Sequence, residues 1–254
     1  MVGAAVAQPA QRPAIRDFDI PTIEALGREI YRQDTAAWVG TDALRERIHG
    51  DFAGAHLIGW IVVPHGADER VRFLRDLGSG PEAGFDIDVD AARHAVVSEP
   101  SDRRLTPEEL ASFTARQTAA RDLPGVCRPG YNSVVTKDPG RDGWLVWMLA
   151  PMPQAGAVPV GGHYRFMISA DGKTVVERDA LFASCMVMSP PPKATPGQRP
   201  AALFVSHVVS QTPVETHVFL QLQAGLAMYV LAGDHTWKID GGRITDTGPT
   251  AAKP

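Results

Sequence analysis

Residues 163–180 read HYRFMISADGKTVVERDA, two runs of strand-forming residues separated by Asp171-Gly172. A glycine in the left-handed position closes a three-residue hairpin loop with a bulge, so Ser169 is expected to pair with Lys173. That register sets Phe166 opposite Val176, Ile168 opposite Thr174, Arg165 opposite Glu177 and His163 opposite Asp179. Apolar side chains then meet apolar ones, and charges meet opposite charges. A two-residue loop would instead bring Arg165 against Arg178.

Working outward, segments 132–136, 144–150, 162–169, 173–183, 202–210, 215–222, 226–232 and 235–240 carry strand patterns bounded by turn residues. Gly233-Asp234 suits a two-residue type II′ turn, pairing Val230 with Trp237 and Met228 with Ile239 on one face, and Tyr229 with Lys238 on the other. Between these strands lies SPPPKATPGQRP, residues 189–200, whose five prolines predict an extended, exposed strap. The sequence shows no internal repeat.

Upstream, residues 20–48 have apolar side chains at helical spacing: Ile23, Leu26 and Ile30 on one stripe, Leu44 and Ile48 on another. Gly40-Thr41-Asp42 reads as the end of one helix and the cap of a second. LIGWIVVPHGADERVRFL then predicts a hairpin turning at His65-Gly66, with Ile58, Trp60 and Val62 before the turn and Val71 and Phe73 after it. In LTPEEL, Thr106 caps a helix, Pro107 occupies its first position, Glu109 completes a capping box and Leu105 staples onto Leu110. Leu110 and Phe113 give this helix a narrow apolar stripe.

These elements predict an α+β fold: a large twisted antiparallel sheet in the C-terminal half, with N-terminal and central helices packed on one side. Residues 19–244 form one domain, residues 1–18 are a disordered N-terminus or a signal-peptide remnant, and residues 245–254 a disordered tail. With 254 residues, 44% hydrophobic, the chain can bury a full core. Its net charge of −4, without a Lys/Arg cluster, argues against nucleic acid as a partner. The excess of Arg over Lys fits a GC-rich, bacterial coding bias.

MVGAAVAQPAQ, with Ala5-Val6-Ala7 in the small-x-small pattern, resembles the tail of a signal peptide and points to export. No apolar run approaches the length of a membrane span. Cys127 and Cys185 permit one disulfide, with two buried free thiols as the alternative.

Three constellations carry candidate chemistry. His163 opposite Asp179 places a carboxylate against an imidazole, with Cys185, Ser184 or Ser206 as third member of a nucleophile–base arrangement or, more simply, as bystanders to an ion pair. His207 and His217, facing each other if residues 210–214 form a hairpin loop, could bind a metal with a carboxylate such as Glu215. Asp34 falls near the apolar stripe of the first helix, where a carboxylate needs a partner or a pocket, and a helix-surface ion pair is the simplest arrangement. FDIDVDAAR has alternating Asp86, Asp88 and Asp90, but Ala91 and Val97 stand where a calcium loop needs Gly and Glu. It reads as a strand with Ile87 and Val89 inward and a solvated acidic face. Gly78-Ser79-Gly80 is a turn, and Trp144 and Trp147 are core and rim.

No catalytic motif stands out, so the leading expectation is an exported, periplasmic or secreted, non-enzymatic binding or interaction protein. It would act on an unknown protein or small-molecule ligand, without cofactor, nucleic acid or transmembrane segment; a cytoplasmic location is the alternative. The other readings are a hydrolase-like enzyme using His163 and Asp179, and a metal-binding protein using His207 and His217.

Overall fold

Asp19 opens the first helix by accepting the Thr22 N–H at 2.9 Å, and α1 then runs unbroken from Ile20 to Arg47. The structure is a computed structural model describing residues 14–188 and 202–250. Two helices were expected over this stretch. Gly40 is no stop signal: it is buried where the first sheet approaches, and a Cβ there would lie 3.1 Å from Val71 Cγ2. Thr41 caps nothing and returns its hydroxyl to the Ala37 carbonyl at 2.6 Å, a helix-interior bond.

Four antiparallel strands follow in spatial order, β1 (Leu57–His65), β2 (Asp68–Asp76), β3 (Pro81–Val89) and β4 (Ala95–Ser98). The expected hairpin forms, with Val62 against Val71 and Trp60 against Phe73. Ile87 and Val89 point into the core with Ala36 and Leu44 of α1. The acidic face of β3 is not solvated as expected. Asp86 is 3% exposed and takes a bidentate pair from Arg72 at 2.8 Å, while Asp88 takes one from Arg70 at 2.7 and 2.9 Å. Arginines on β2 meet aspartates on β3, a cross-strand match that the single-strand reading missed.

Helix α2 (Pro107–Arg121) has both bonds of the capping box. Glu109 N–H reaches Thr106 Oγ1 at 3.2 Å and Thr106 N–H reaches Glu109 Oε2 at 2.8 Å. The staple does not form: Leu110 is 44% exposed, and Leu105 packs instead beside Ile61, Leu74 and Phe113.

The second sheet is β5 (Asn132–Lys137), β6 (Trp144–Leu149), β7 (Tyr164–Ile168) and β8 (Val175–Ala180), again in meander order. All six residues of β6 are buried because both of its faces are covered. Trp144, Val146 and Met148 face Ala115 and Ala119 of α2, while Leu145, Trp147 and Leu149 join Ile23, Ile30 and Val218 in the main core. The helices therefore lie on both sides of this sheet, not on one.

The third sheet contains β9 (Ala202–His207), β10 (Ala227–Ala232), β11 (His235–Asp240) and β12 (Arg243–Pro249), in the order β12-β11-β10-β9. β9 and β10 run parallel, joined by α3 (Glu215–Ala224), where a strand over 215–222 was expected. Glu215 to Gln221 are all buried, so burial on every side erases the helical stripe, and Gly225, at φ 64, closes the helix as a left-handed cap. α1 crosses α3 at Gly27, where a Cβ would sit 2.7 Å from the Glu215 carbonyl oxygen. The Gly233-Asp234 hairpin has the expected register, Val230 with Trp237, Met228 with Ile239 and Tyr229 with Lys238. β12 extends five residues into the expected tail.

The fold is thus α+β with three four-stranded sheets, rather than one large twisted sheet. Each sheet contains an antiparallel meander preceded by a helix, a recurrence of architecture without matching sequence. Residues 1–13 and the proline-rich strap lie outside the described residues.

The hairpin at Asp171-Gly172 corrects the expected register. Asp171 Oδ1 accepts the Lys173 N–H at 3.0 Å and Ser169 Oγ accepts the Thr174 N–H at 3.0 Å, so the loop closes at Ser169 and Thr174, one residue longer. A further irregularity between Met167 and Ile168 brings Arg165 opposite Asp179, Phe166 opposite Arg178 and Met167 opposite Glu177. His163 falls beside Leu181, not Asp179, its carbonyl accepting the Leu181 N–H at 3.0 Å. Cys127 and Cys185 form a disulfide, with Cα atoms 5.5 Å apart.

Candidate functional site

Arg165, brought to the inner face of β7 by the corrected register, is fully buried. It donates to Asp179 Oδ2 from Nε at 3.0 Å and Nη2 at 2.6 Å, and to Glu215 Oε1 at 2.9 Å. It also donates to the Arg16 carbonyl. Trp147 Nε1 adds a bond to Glu215 Oε1 at 2.7 Å. Burial alone would lower the guanidinium pKa, but Glu215 and Asp179 outweigh it and raise the value, so the group stays charged. This centre links β6, β7, β8 and the first turn of α3.

The three candidate histidines are buried, and each holds backbone or a side chain. His163 Nδ1 accepts the Ala150 N–H at 3.0 Å and Nε2 donates to the Pro159 carbonyl at 2.6 Å, so neither nitrogen remains for a nucleophile. Burial pushes its pKa down to about 4, against the opposing pull of that carbonyl. His217, on α3 rather than a strand, accepts the Val214 N–H on Nδ1 at 3.0 Å, half of a capping box on a helix whose Val214 cap has no side-chain acceptor. Burial first, then neighbouring His207 and His163, hold its pKa well below the usual histidine range.

His207 lies edge-on to His217, ring centroids 4.7 Å apart, so the two do come together, through a parallel crossover rather than the expected hairpin. Its Nε2 lies 2.8 Å from Ser210 Oγ, whose proton goes to the Thr212 carbonyl at 2.7 Å. Nε2 therefore donates to the serine and does not stand as its base. Burial lowers the pKa of His207 to about 4, despite the favourable charge of Glu215. His207 Nδ1 and Glu215 Oε2 are buried without a hydrogen-bond partner among the described residues, so no carboxylate orients this imidazole. Among the described residues, no three His, Cys, Asp or Glu side chains converge to hold a metal.

The feature that does resemble a ligand site lies elsewhere. Tyr31, Asp34, Thr35 and Trp38 occupy one face of α1, at the i, i+3, i+4 and i+7 spacing of a helical stripe. They line a cleft of about 530 Å³ whose opposite wall is Asn132, Ala150, Pro151, Met152, Pro159 and Phe219. Two large apolar side chains on it remain open to solvent, Trp38 at 58% and Met152 at 45%. The expected surface ion pair of Asp34 does not form: Arg32 turns away to Glu29 and Glu69. Asp34 accepts instead from Asn132 Nδ2, and burial raises its carboxyl pKa to about 6 against that hydrogen bond.

His163 fixes Ala150 and Pro159, both on the cleft wall, so the buried histidine shapes the cleft from behind. Asp34 was conspicuous in the sequence as a carboxylate on an apolar stripe. Asn132, 98 residues away, carried no signal. Compared with protein-family models, curated proteins and solved structures, the chain matches none.

Proposed function

We propose that the chain is a non-enzymatic binding protein, exported to the periplasm or secreted, which holds a small molecule in the cleft along α1. The observation that carries this reading is Asp34. A half-buried carboxylate with its pKa raised to about 6, flanked by Tyr31 and by an exposed Trp38 and Met152, combines an apolar body with one oriented polar group. Folding gains nothing obvious from leaving a carboxylate there with an amide as its partner. His163, of the hydrolase-like reading, has both ring nitrogens in structural hydrogen bonds, and His207 and His217 each have one, which favours binding over catalysis.

Export draws support from the Cys127–Cys185 bond, since disulfides persist in oxidising compartments. Among the described residues no helix is long and apolar enough to cross a membrane.

A thermal-shift screen of small molecules tests the cleft. A ligand present at about 100 times its Kd stabilises the fold by roughly 2.7 kcal/mol. Stabilising compounds are expected to lose most of this effect on Trp38→Ala, a solvent-facing change that leaves the core intact. If every stabilising compound acts equally on wild type and on Trp38→Ala, or if none stabilises, the reading fails.

A further inference from the structure

Asp34 and Arg93 are the two charged side chains lining this cleft, and neither has an ion-pair partner among the described residues. The carboxylate meets only Asn132, whose own Oδ1 accepts the Ser133 N–H at 2.9 Å, so the amide is fixed with its donor toward Asp34. The guanidinium donates to Tyr31 Oη at 2.9 Å, which tethers it at the cleft and leaves its other N–H groups free. Arg93 also borders the adjoining cavity of about 420 Å³, which Asp68 and Asp90 line as well; there Arg32 pairs with Glu69, Arg28 with Glu24 and Asp90 with His94, and Arg93 pairs with neither aspartate.

Arg93 also holds an unusual backbone position. Its φ is 67°, the left-handed region that glycine or asparagine fills without strain, in a turn closed by Arg93 N–H to the Asp90 carbonyl at 2.9 Å.

We infer, building on the cleft as a binding site, that it takes a zwitterion: an ammonium group on Asp34, an anionic group on Arg93 and an apolar body against Trp38 and Met152. This is the chemistry of a free apolar amino acid or a short apolar peptide. Tyr31, one turn from Asp34 on α1 and hydrogen-bonded to Arg93, offers its ring to the ammonium group.

Calorimetric titration of the full chain, disulfide intact, tests this with four probes: L-phenylalanine, the dipeptide alanyl-phenylalanine, phenethylamine and 3-phenylpropionate. The first two carry both charges and separate the amino-acid source from the peptide source; the last two carry one charge each. At least one zwitterion is expected to bind tenfold or more tightly than either single-charge analogue. Asp34→Asn and Arg93→Gln should each reduce that affinity at least tenfold. Arg93→Gly should do the same while its melting temperature stays at or above that of wild type, which separates lost recognition from lost folding. A single-charge probe binding as tightly as both zwitterions, or Arg93→Gln leaving affinity unchanged, overturns the inference while the cleft remains a binding site. Stabilising compounds in the thermal-shift screen but no zwitterion binding has the same meaning. No binding of any kind overturns both.

Discussion

The buried centre around Arg165 and the open cleft along α1 use the same kinds of side chain and treat them oppositely. In the centre, one guanidinium faces two carboxylates and an indole, and His163 and His217 hold backbone groups. In the cleft, a carboxylate and a guanidinium are each left with a neutral partner. Burial in both places perturbs titration, so a shifted pKa does not by itself distinguish structure from function. What distinguishes them is whether the fold supplies the matching group.

Acid is the strongest test of the buried side. The three histidines have folded-state pKa values of about 4, about 4 and well below the usual range, against about 6.5 when unfolded. A depressed histidine pKa means that the unfolded chain binds protons the folded one refuses. Stability is therefore fully present above pH 6.5 and is lost as pH falls toward 4. His163 and His207 alone bring the slope toward roughly 3 kcal/mol per pH unit, so about 4 kcal/mol disappears by pH 5, and His217 acts in the same direction. Urea unfolding at pH 7 and pH 5 measures this, and equal midpoints would show that these imidazoles are not buried in neutral form.

Arg165→Met comes next, because it strands Glu215 and Asp179 in the interior. A loss of about 3–5 kcal/mol is expected in denaturant melts. A loss under about 1 kcal/mol would mean that the carboxylates find water or protons easily, and that the centre is less closed than the cleft is open.

Removing the disulfide with Cys127→Ser and Cys185→Ser together should cost up to about 4 kcal/mol in the loop-entropy account of a 58-residue separation. Cys127 Sγ packs on Gly162, next to His163, so the loss belongs to the matched side and should leave the titration of Asp34 unaltered. An NMR titration of the Asp34 carboxyl that moves by more than a unit in the double variant would break that separation.

The smallest effect has the opposite sign. Because the folded pKa of Asp34 is raised to about 6 from 3.8, its stabilising protonated form is complete below about pH 4 and lost as pH rises through 6. Asp34→Asn removes that loss, so it should stabilise the fold by about 1–3 kcal/mol at pH 7 and by little at pH 4. A thermal melt in which the variant is less stable at pH 7 would show that Asp34 is a structural group like those around Arg165.

Legibility in the sequence follows how local each determinant is. The Gly233-Asp234 turn and the Thr106–Glu109 capping box were readable because their partners lie within a few residues. The loop after Ser169 misled because the side chains of Asp171 and Ser169 take backbone N–H groups that a propensity reading assigns to the ladder. That one-residue shift moved Arg165 opposite Asp179 and with it the identity of the buried centre. The segment after Glu215 looked like a strand because complete burial leaves no polar face to mark the helical period. His207 and His217 were expected together and are together, for a different topological reason. In the cleft, Asp34 could be flagged from its own helix, whereas Asn132 and Arg93 required the tertiary fold.

The closure of α1 by the far end of the chain has a consequence for biosynthesis. Glu24 accepts the Ile244 N–H and Arg28 donates to the Gly242 carbonyl, 220 and 214 residues away. A helix made early is completed by strands made some 220 residues later. At ~5–20 residues per second the nascent chain waits roughly ten to forty seconds for those partners. Throughout that interval the apolar stripe of α1 lacks its partners in the third sheet and is available to chaperones.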